Sequence, residues 1–357
     1  SLGAIALTNN MLVNNMELLF QSFAETIANA IDAKSPHTGG HCRRVPELTL
    51  MIADAVHATT AGPLASFKMT SQERYELEIA GWLHDCGKIA TPDHIIEKSK
   101  KLETIFDRIE FIEAKLEIAR RDIEIKYQEQ IINALPSHQH ILIQQISRLK
   151  EKELKQLDLD LALVKRINVG GEFLTDELAD AIDAIKKRYQ IKLNGEMVDV
   201  LSQNEVDNLK IRRGTLTEQE REIIKHHMVV TMDILNALPF PKHLSNVAEY
   251  ALGHHETMDG KGYPRGLTKA EMSVPSRLMA IADIFEALSA SDRPYKQAKP
   301  VSECLSIMSN MVRNNHIDPD LFTIFVTSKV YEPYLKKFGR KEQLDEYDIQ
   351  DILNFSG

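Results

Sequence analysis

Apolar residues recur every three or four positions along most of this chain, and sustained alternation is scarce. That spacing predicts helices rather than strands, and an all-α fold. From Met16 to Ala33 the apolar face is built by Leu19, Phe20, Phe23, Ile27, Ala30 and Ile31. Ser35-Pro36 ends that helix, because a residue before proline avoids the α region. The segment ahead of it, residues 1–13 (SLGAIALTNNMLV), reads as a short apolar strand and turn with nothing to pair with, the tail of an upstream domain. Further helices are predicted through RVPELTLMIADAVHA, ERYELEIAGWLHDCGKIA, EQEREIIKHHMVVTMDIL and RLMAIADIFEAL. Thr217 with Glu220 three residues later forms a capping box at the start of one of them.

Residues 103–213 have a different texture. Ile105, Ile109, Ile112, Leu116, Ala119 and Ile123 step by four and three, a heptad pattern, until LPSH at 135–138 interrupts it. A second charged helix follows with Ile146, Leu149, Leu157, Leu161 and Val164 on its apolar side, and a smaller helical piece comes after VGGEF. The simplest reading is an antiparallel helical hairpin that zips onto itself. The chain then divides into 1–13, 14–102, the 103–213 hairpin, and 214–357.

The 357 residues, 43% hydrophobic and 27% charged, suit a soluble globular protein with ample length for a buried core. No apolar run is long enough to cross a membrane, and no secretory signal is visible. Cys42, Cys86 and Cys304 have no paired spacing and read as free thiols of a cytoplasmic protein. A net charge of −9 argues against general nucleic-acid binding. It leaves room for an anionic small substrate where metals make a site locally positive.

The candidate chemistry lies in an ordered series of imidazoles and carboxylates: His41, His84-Asp85, His227, His254-His255 and Asp283. His84 and Asp85 sit in an otherwise apolar run, where an unpartnered charge is costly. His227 falls on the apolar side of its helix between Ile223 and Val230, and His226 is its solvent-facing neighbour. Asp283 interrupts an apolar helix. Such a donor set suits Fe, Mn, Zn or Ni, and two ions side by side form a clamp for phosphodiester hydrolysis. Any one of these residues alone reads as a satisfied core residue; together they are enough ligands for two metals, with a bridging carboxylate and open positions for substrate. Gly260, Gly262 and Gly266 make the following segment a loop able to approach a ligand closely, or simply a tight turn.

The stretches HTGGHCRRV, LHDCGKIATPDHII, HHMVVTMDIL, HHETMDGKGYPRGL and RLMAIADIFEALSASDRPYK resemble the HD-GYP family of HD metal-dependent phosphohydrolases. The likeness covers about residues 20–102 and 214–330, and Gly262-Tyr263-Pro264 separates this family from other HD hydrolases. It implies an HD-domain helical bundle, here with the hairpin inserted, that hydrolyses cyclic di-GMP to the linear dinucleotide and, after a second cut, GMP. It also implies that His41, His84, Asp85, His227, His254, His255 and Asp283 are metal ligands, with Asp85 as the bridge. Lys88 is then a phosphate contact, and Tyr263, Arg293, Lys296 and Arg277 are further substrate contacts, although a helix-surface salt bridge accounts equally well for Arg277. A hydroxide held between the metals would attack phosphorus in line with the 3′-oxygen.

Two ions, Fe or Mn before Zn, Ni or Mg, follow from the resemblance, and His37 is a candidate for holding a third, or equally for a supporting hydrogen bond to a ligand or a contact to substrate. His37 stands where the family often has tyrosine, or glutamate in members with three metals. Implied partners are a second copy of the chain, a missing N-terminal sensor domain, and a GGDEF-type diguanylate cyclase docked on the GYP loop. The chain departs from the family in the long hairpin, for which a structural or dimerising role is simplest. It also departs in LSASDRPYK, one residue longer than the commoner spacing. The competing readings are a phosphodiesterase for another cyclic dinucleotide such as cyclic GMP-AMP, and a catalytically silent receptor or scaffold. A nucleotide-monophosphate hydrolase is disfavoured by the GYP segment.

Overall fold

The computed structural model describes residues 2–34, 39–135, 140–290 and 298–355. Among these the chain is helical apart from one two-stranded sheet. It forms two compact units, Ser1–Asp93 with Ile223–Gly357 and His94–Glu222.

The first unit begins with α1, Leu2–Lys34, which corrects the expectation of a strand over residues 1–13. A short apolar run cannot be assigned by periodicity alone. Here no glycine or proline lies between Gly3 and Ser35 to stop the helix. Next come α2 (His41–Ala58) and α3 (Ser71–Leu83). Thr70 and Glu73 form a capping box ahead of α3. The helix expected to continue through Ala90 instead breaks after Leu83 and resumes as a 3-10 turn, Cys86–Ala90. A single turn of helix, α4 (Asp93–Ile96), follows.

In the second unit α5 (Ile109–Ala134) and α6 (His140–Asn168) pack against each other. Glu113 pairs with Lys165, Arg120 with Asp158 and Lys126 with Glu153, so one number rises as the other falls and the helices are antiparallel. Ile112, Leu116, Ala119 and Ile123 are buried with Ile146, Leu157 and Val164. Ile105 and Leu149 are exposed instead. Ile105 precedes the helix, in a loop tied back by Lys100–Asp107 and by Arg108 donating to the Leu102 carbonyl. Residues 136–138 of LPSH lie outside the described residues.

After α7 (Asp176–Arg188) comes a hairpin the periodicity did not suggest, β1 (Gln190–Leu193) with β2 (Glu196–Asp199). Its Asn194-Gly195 turn has positive φ at both residues, which Asn-Gly tolerates and which suits a two-residue hairpin. α8 (Gln203–Leu209) completes the unit. The unit boundaries fall outside 103–213 on both sides because the flanks pack with the hairpin. Lys98 reaches Glu220 and Asn208, and Thr215 donates to the Lys98 carbonyl.

The return begins with α9 (Glu218–Lys225), whose capping box of Thr217 and Glu220 is present as expected. The expected single helix is broken at the exposed His226, and α10 spans His227–Ala237. Ile223, predicted on the apolar side, is exposed, because the break at His226 resets the helical phase. The remaining helices are α11 (Val247–Leu252), α12 (Val274–Ser289), α13 (Val301–Arg313), α14 (Pro319–Thr327), α15 (Tyr331–Phe338) and α16 (Ile349–Leu353). The core of this unit gathers Leu48 and Ile52 of α2, Leu77 of α3, Ile281 and Phe285 of α12, and Phe325 of α14. α2 packs against both α3 and α12, and α10 against the 3-10 turn. These packings place the histidines and carboxylates on facing surfaces.

Candidate metal centre

The break after Leu83 aims the His-Asp pair. His84 keeps helical torsions (φ −55°, ψ −33°), whereas Asp85 leaves them (φ −109°, ψ 14°). Two neighbours that would diverge on a continuous helix therefore turn into one pocket. The turn is held against α10 at Gly87, whose N–H donates to the Thr231 hydroxyl at 2.9 Å. A Cβ there would come within 1.9 Å of the His227 carbonyl oxygen, so only glycine permits this approach.

All seven predicted ligands are brought together, in two groups whose candidate ligand atoms lie within 4.8 Å of one another: His41, His84 and Asp283, and Asp85, His227, His254 and His255. Asp85 faces both. Its Oδ2 is 3.2 Å from His41 Nε2 and 3.2 Å from His84 Nε2. Its Oδ1 is 3.3 Å from His227 Nε2 and 3.9 Å from His254 Nε2. Asp283 Oδ1 lies 3.3 Å from His41 Nε2 and 3.9 Å from His84 Nε2.

The rings are oriented from behind. His84, His227 and His254 each donate Nδ1–H to the carbonyl three residues earlier, on Gly81, Ile224 and Ala251, at 2.5–2.7 Å. A carbonyl only accepts, so the proton sits on Nδ1 and the Nε2 lone pair faces the pocket. His41 is held by a carboxylate instead. Its Nδ1 is 2.5 Å from Glu286 Oε2, and Arg44 Nε donates to Glu286 Oε1 at 2.7 Å. Glu286 was not among the sequence candidates, although it lies one helical turn beyond Asp283.

The Nε2 atoms of His84, His227 and His254 and Oδ1 of Asp85 are buried without a hydrogen-bond partner. Four converging, unsatisfied acceptors are what divalent cations would satisfy, so these residues fit a metal centre. The electrostatics agree. Burial pushes the Asp85 and Asp283 carboxyls up, but the surrounding cation and imidazoles outweigh it and hold both below the usual range. Glu286 is held at about 2, with His41 and Arg44 overcoming its burial. Burial and neighbouring imidazoles push His254 down to about 4 and His255 well below its ordinary value, leaving both neutral. His41 is raised despite burial, because Glu286, Asp283 and Asp85 outweigh it; positive charge is favoured at that point.

Lys88 Nζ lies 2.5 Å from Asp85 Oδ2, and Asp85 and Asp283 keep it charged against its burial. Tyr263 stacks on His255, ring centroids 4.8 Å apart and planes 22° from parallel. Its loop is drawn onto the double-histidine segment: Glu256 accepts from the N–H groups of Arg265 and Leu267, and a Cβ on Gly262 would meet the Glu256 and Thr257 backbone. Arg277 forms an ion pair with Asp318 that is buried, not the helix-surface salt bridge weighed as its alternative. His37, Arg293 and Lys296 lie outside the described residues. Cys42 and Cys86 are buried, and burial raises both thiols, Cys86 to about 12, so neither is poised as a nucleophile.

Two HD domain profiles match the chain, at residues 38–168 and 204–321. A 3′3′-cGAMP-specific phosphodiesterase 1 of Vibrio cholerae serotype O1 is 34% identical over 155 residues, 43% of this chain and 34% of its own length. A 3′3′-cGAMP-specific phosphodiesterase 3 of the same organism is 42% identical over 110 residues, 30% of this chain and 23% of its own length. A cyclic di-GMP phosphodiesterase of Thermotoga maritima is 43% identical over 97 residues, 27% of this chain and 26% of its own. The chain thus spans between about a quarter and a third of the length of these relatives.

Proposed function

We propose that this chain, which belongs to the HD-GYP branch of the HD-domain family, is a metal-dependent phosphodiesterase. It hydrolyses cyclic di-GMP to the linear dinucleotide and, by a second cut, to GMP. The observation that carries this reading is Asp85, a buried carboxylate whose two oxygens face two separate sets of imidazoles. His41, His84 and Asp283 would hold one divalent ion and His227, His254 and His255 the other, with Asp85 shared. Bound there, the ions would lower the pKa of a water molecule and withdraw charge from phosphoryl oxygens. An imidazole-rich set with two carboxylates suits Fe or Mn, with Zn, Ni or Mg as alternatives.

The chain's own groups do the rest. Lys88 sets a permanent positive charge at the edge of the centre, where it binds a non-bridging phosphate oxygen and stabilises the charge that develops on it. Tyr263 offers a ring face beside His255, and Arg293 and Lys296 supply further cationic contacts to the substrate. Residues 14–102 and 214–357 form the HD-GYP domain, and 103–213 is its insertion. The GYP loop is a docking surface for a GGDEF-type cyclase. A third ion at His37 is tested by metal content of His37→Ala, which loses one equivalent if His37 is a ligand and none otherwise.

A second reading, action on 3′3′-cGAMP, is favoured by relatives that carry that name. Incubating Fe(II)- or Mn(II)-loaded protein with each dinucleotide and resolving the products decides between them. Faster turnover of cyclic di-GMP supports the first reading. Both substrates left intact with either metal would sink the enzyme assignment.

A further inference from the structure

The 3-10 turn Cys86–Ala90 is held unevenly along its length. Its first half is fixed from inside the unit, where Cys86 and Gly87 are buried and Gly87 is bonded to Thr231. Its second half has no such anchor, since Ile89 is 56% exposed and Ala90 is exposed too. A helical turn also ends on carbonyls that no following N–H satisfies. The Lys88 carbonyl accepts from the Thr91 N–H, but those of Ile89 and Thr91 need another partner. That partner comes from a residue 54 to 57 positions away.

Lys34, the last residue of α1, donates through Nζ to the carbonyls of Ile89 and Thr91, both at 2.7 Å, and reaches that of Lys88 at 3.4 Å. It also pairs with Asp93 Oδ1 at 3.3 Å, where α4 starts. An ammonium is compact and carries three N–H groups, so it can serve several acceptors gathered at one point. The pair with Asp93 contributes little, because that carboxylate is 57% exposed. The bonds to the carbonyls count for more, being charge-assisted and made to backbone.

We propose that Lys34 is a positioning residue for the metal centre, pinning the open end of the turn so that Asp85 and Lys88 keep their places. Asp85 stands immediately before the turn and Lys88 within it, with Lys88 Nζ 2.5 Å from Asp85 Oδ2. A shift of the backbone over 88–91 therefore moves the lysine directly and loosens its contact with the carboxylate. α1 does not need Lys34 to stay in place, because Ala24, Ala28 and Ile31 bury its inner side in the core. Loss of Lys34 thus acts on the turn and not on the fold. The catalytic part of this inference rests on the proposed function; the ordering of the turn does not.

The test is Lys34→Met in the full chain, which keeps the stem of the side chain and removes every donor. Amide hydrogen exchange over residues 86–91 is expected to quicken by about tenfold or more, while the rest of the first unit exchanges at the wild-type rate. Titration with Mn(II) is expected to show affinity weakened by about tenfold. With cyclic di-GMP, kcat is expected to fall by about 10- to 100-fold while KM stays within about threefold. Lys34→Arg, which restores cationic donors, is expected to recover exchange, affinity and kcat. Asp93→Asn, which removes only the exposed partner, is expected to change none of them. Wild-type exchange over 86–91 or wild-type Mn(II) affinity in Lys34→Met would overturn the inference. So would exchange that quickens throughout the unit, a loss confined to KM, or a methionine variant whose defects arginine does not repair. A wild type that binds Mn(II) but cleaves neither dinucleotide would sink the proposed activity, and the exchange and the titration would still decide the role of Lys34.

Discussion

Asp85 bears a heavy electrostatic demand. It is buried, ionised, and has one oxygen without any hydrogen bond. An uncompensated buried carboxylate costs several kcal/mol, so this group needs cations. Asp85→Asn is therefore expected to abolish metal binding in both groups, with the loss read by elemental analysis and turnover falling by at least about 100-fold. Lys88→Met should separate the two properties, retaining metal while lowering kcat by about 10²- to 10³-fold. Loss of metal from that variant would make Lys88 a structural partner of Asp85 instead. Residue type and order were enough to nominate all seven members of the cluster, because imidazole and carboxylate are conspicuous in apolar helices. Glu286 escaped notice because a glutamate near a helix end is usually solvated. Only its contact with His41 Nδ1 shows that it orients that ring.

Individual elements set how the cluster closes. The 3-10 turn Cys86–Ala90 lies on α10 only because Gly87 has no side chain, the clash at 1.9 Å being with backbone that cannot rotate away. Gly87→Ala is expected to cost about 1–3 kcal/mol of stability and to weaken metal binding by parting Asp85 from His227, measurable by thermal melting and metal titration. In the second unit, Lys101 is buried and donates to the carbonyls of Leu209 and Ile211 at the end of α8. Burial lowers it from 10.5 to about 8. Its folded value lies below its unfolded one, so between those values the unfolded chain binds the extra proton and stability rises with pH. Below about pH 8 both states are protonated and this slope vanishes. Lys101→Met is expected to remove the rise, as read by denaturant titrations across that window. Helix existence was largely legible, and the capping box at Thr217 was placed correctly. The break after Leu83, the break at His226 and the Asn194-Gly195 hairpin were not, since each is a local departure inside a run whose overall spacing is helical.

At the scale of the whole molecule, most of the buried apolar residues described fall into two clusters with no member in common, one in each unit. Metal held by the first unit stabilises only the state that binds it. Calorimetry is therefore expected to resolve two transitions, of which chelation lowers one and leaves the other in place. A single transition moving as a whole would show the units to be cooperative. The chain's periodicity determined that it would be helical, and the identities of its imidazoles and carboxylates determined which positions could bind metal. Both properties are local, written in spacings of three and four residues and in side-chain chemistry. Whether those positions meet was a matter for tertiary packing. His41 and Glu286 are 245 residues apart in sequence, and so close only when α2 and α12 pack. The two-sided placement of Asp85 likewise depends on a helix ending after Leu83 and on α10 resting against a glycine, arrangements stabilised by long-range contacts that no local pattern encodes.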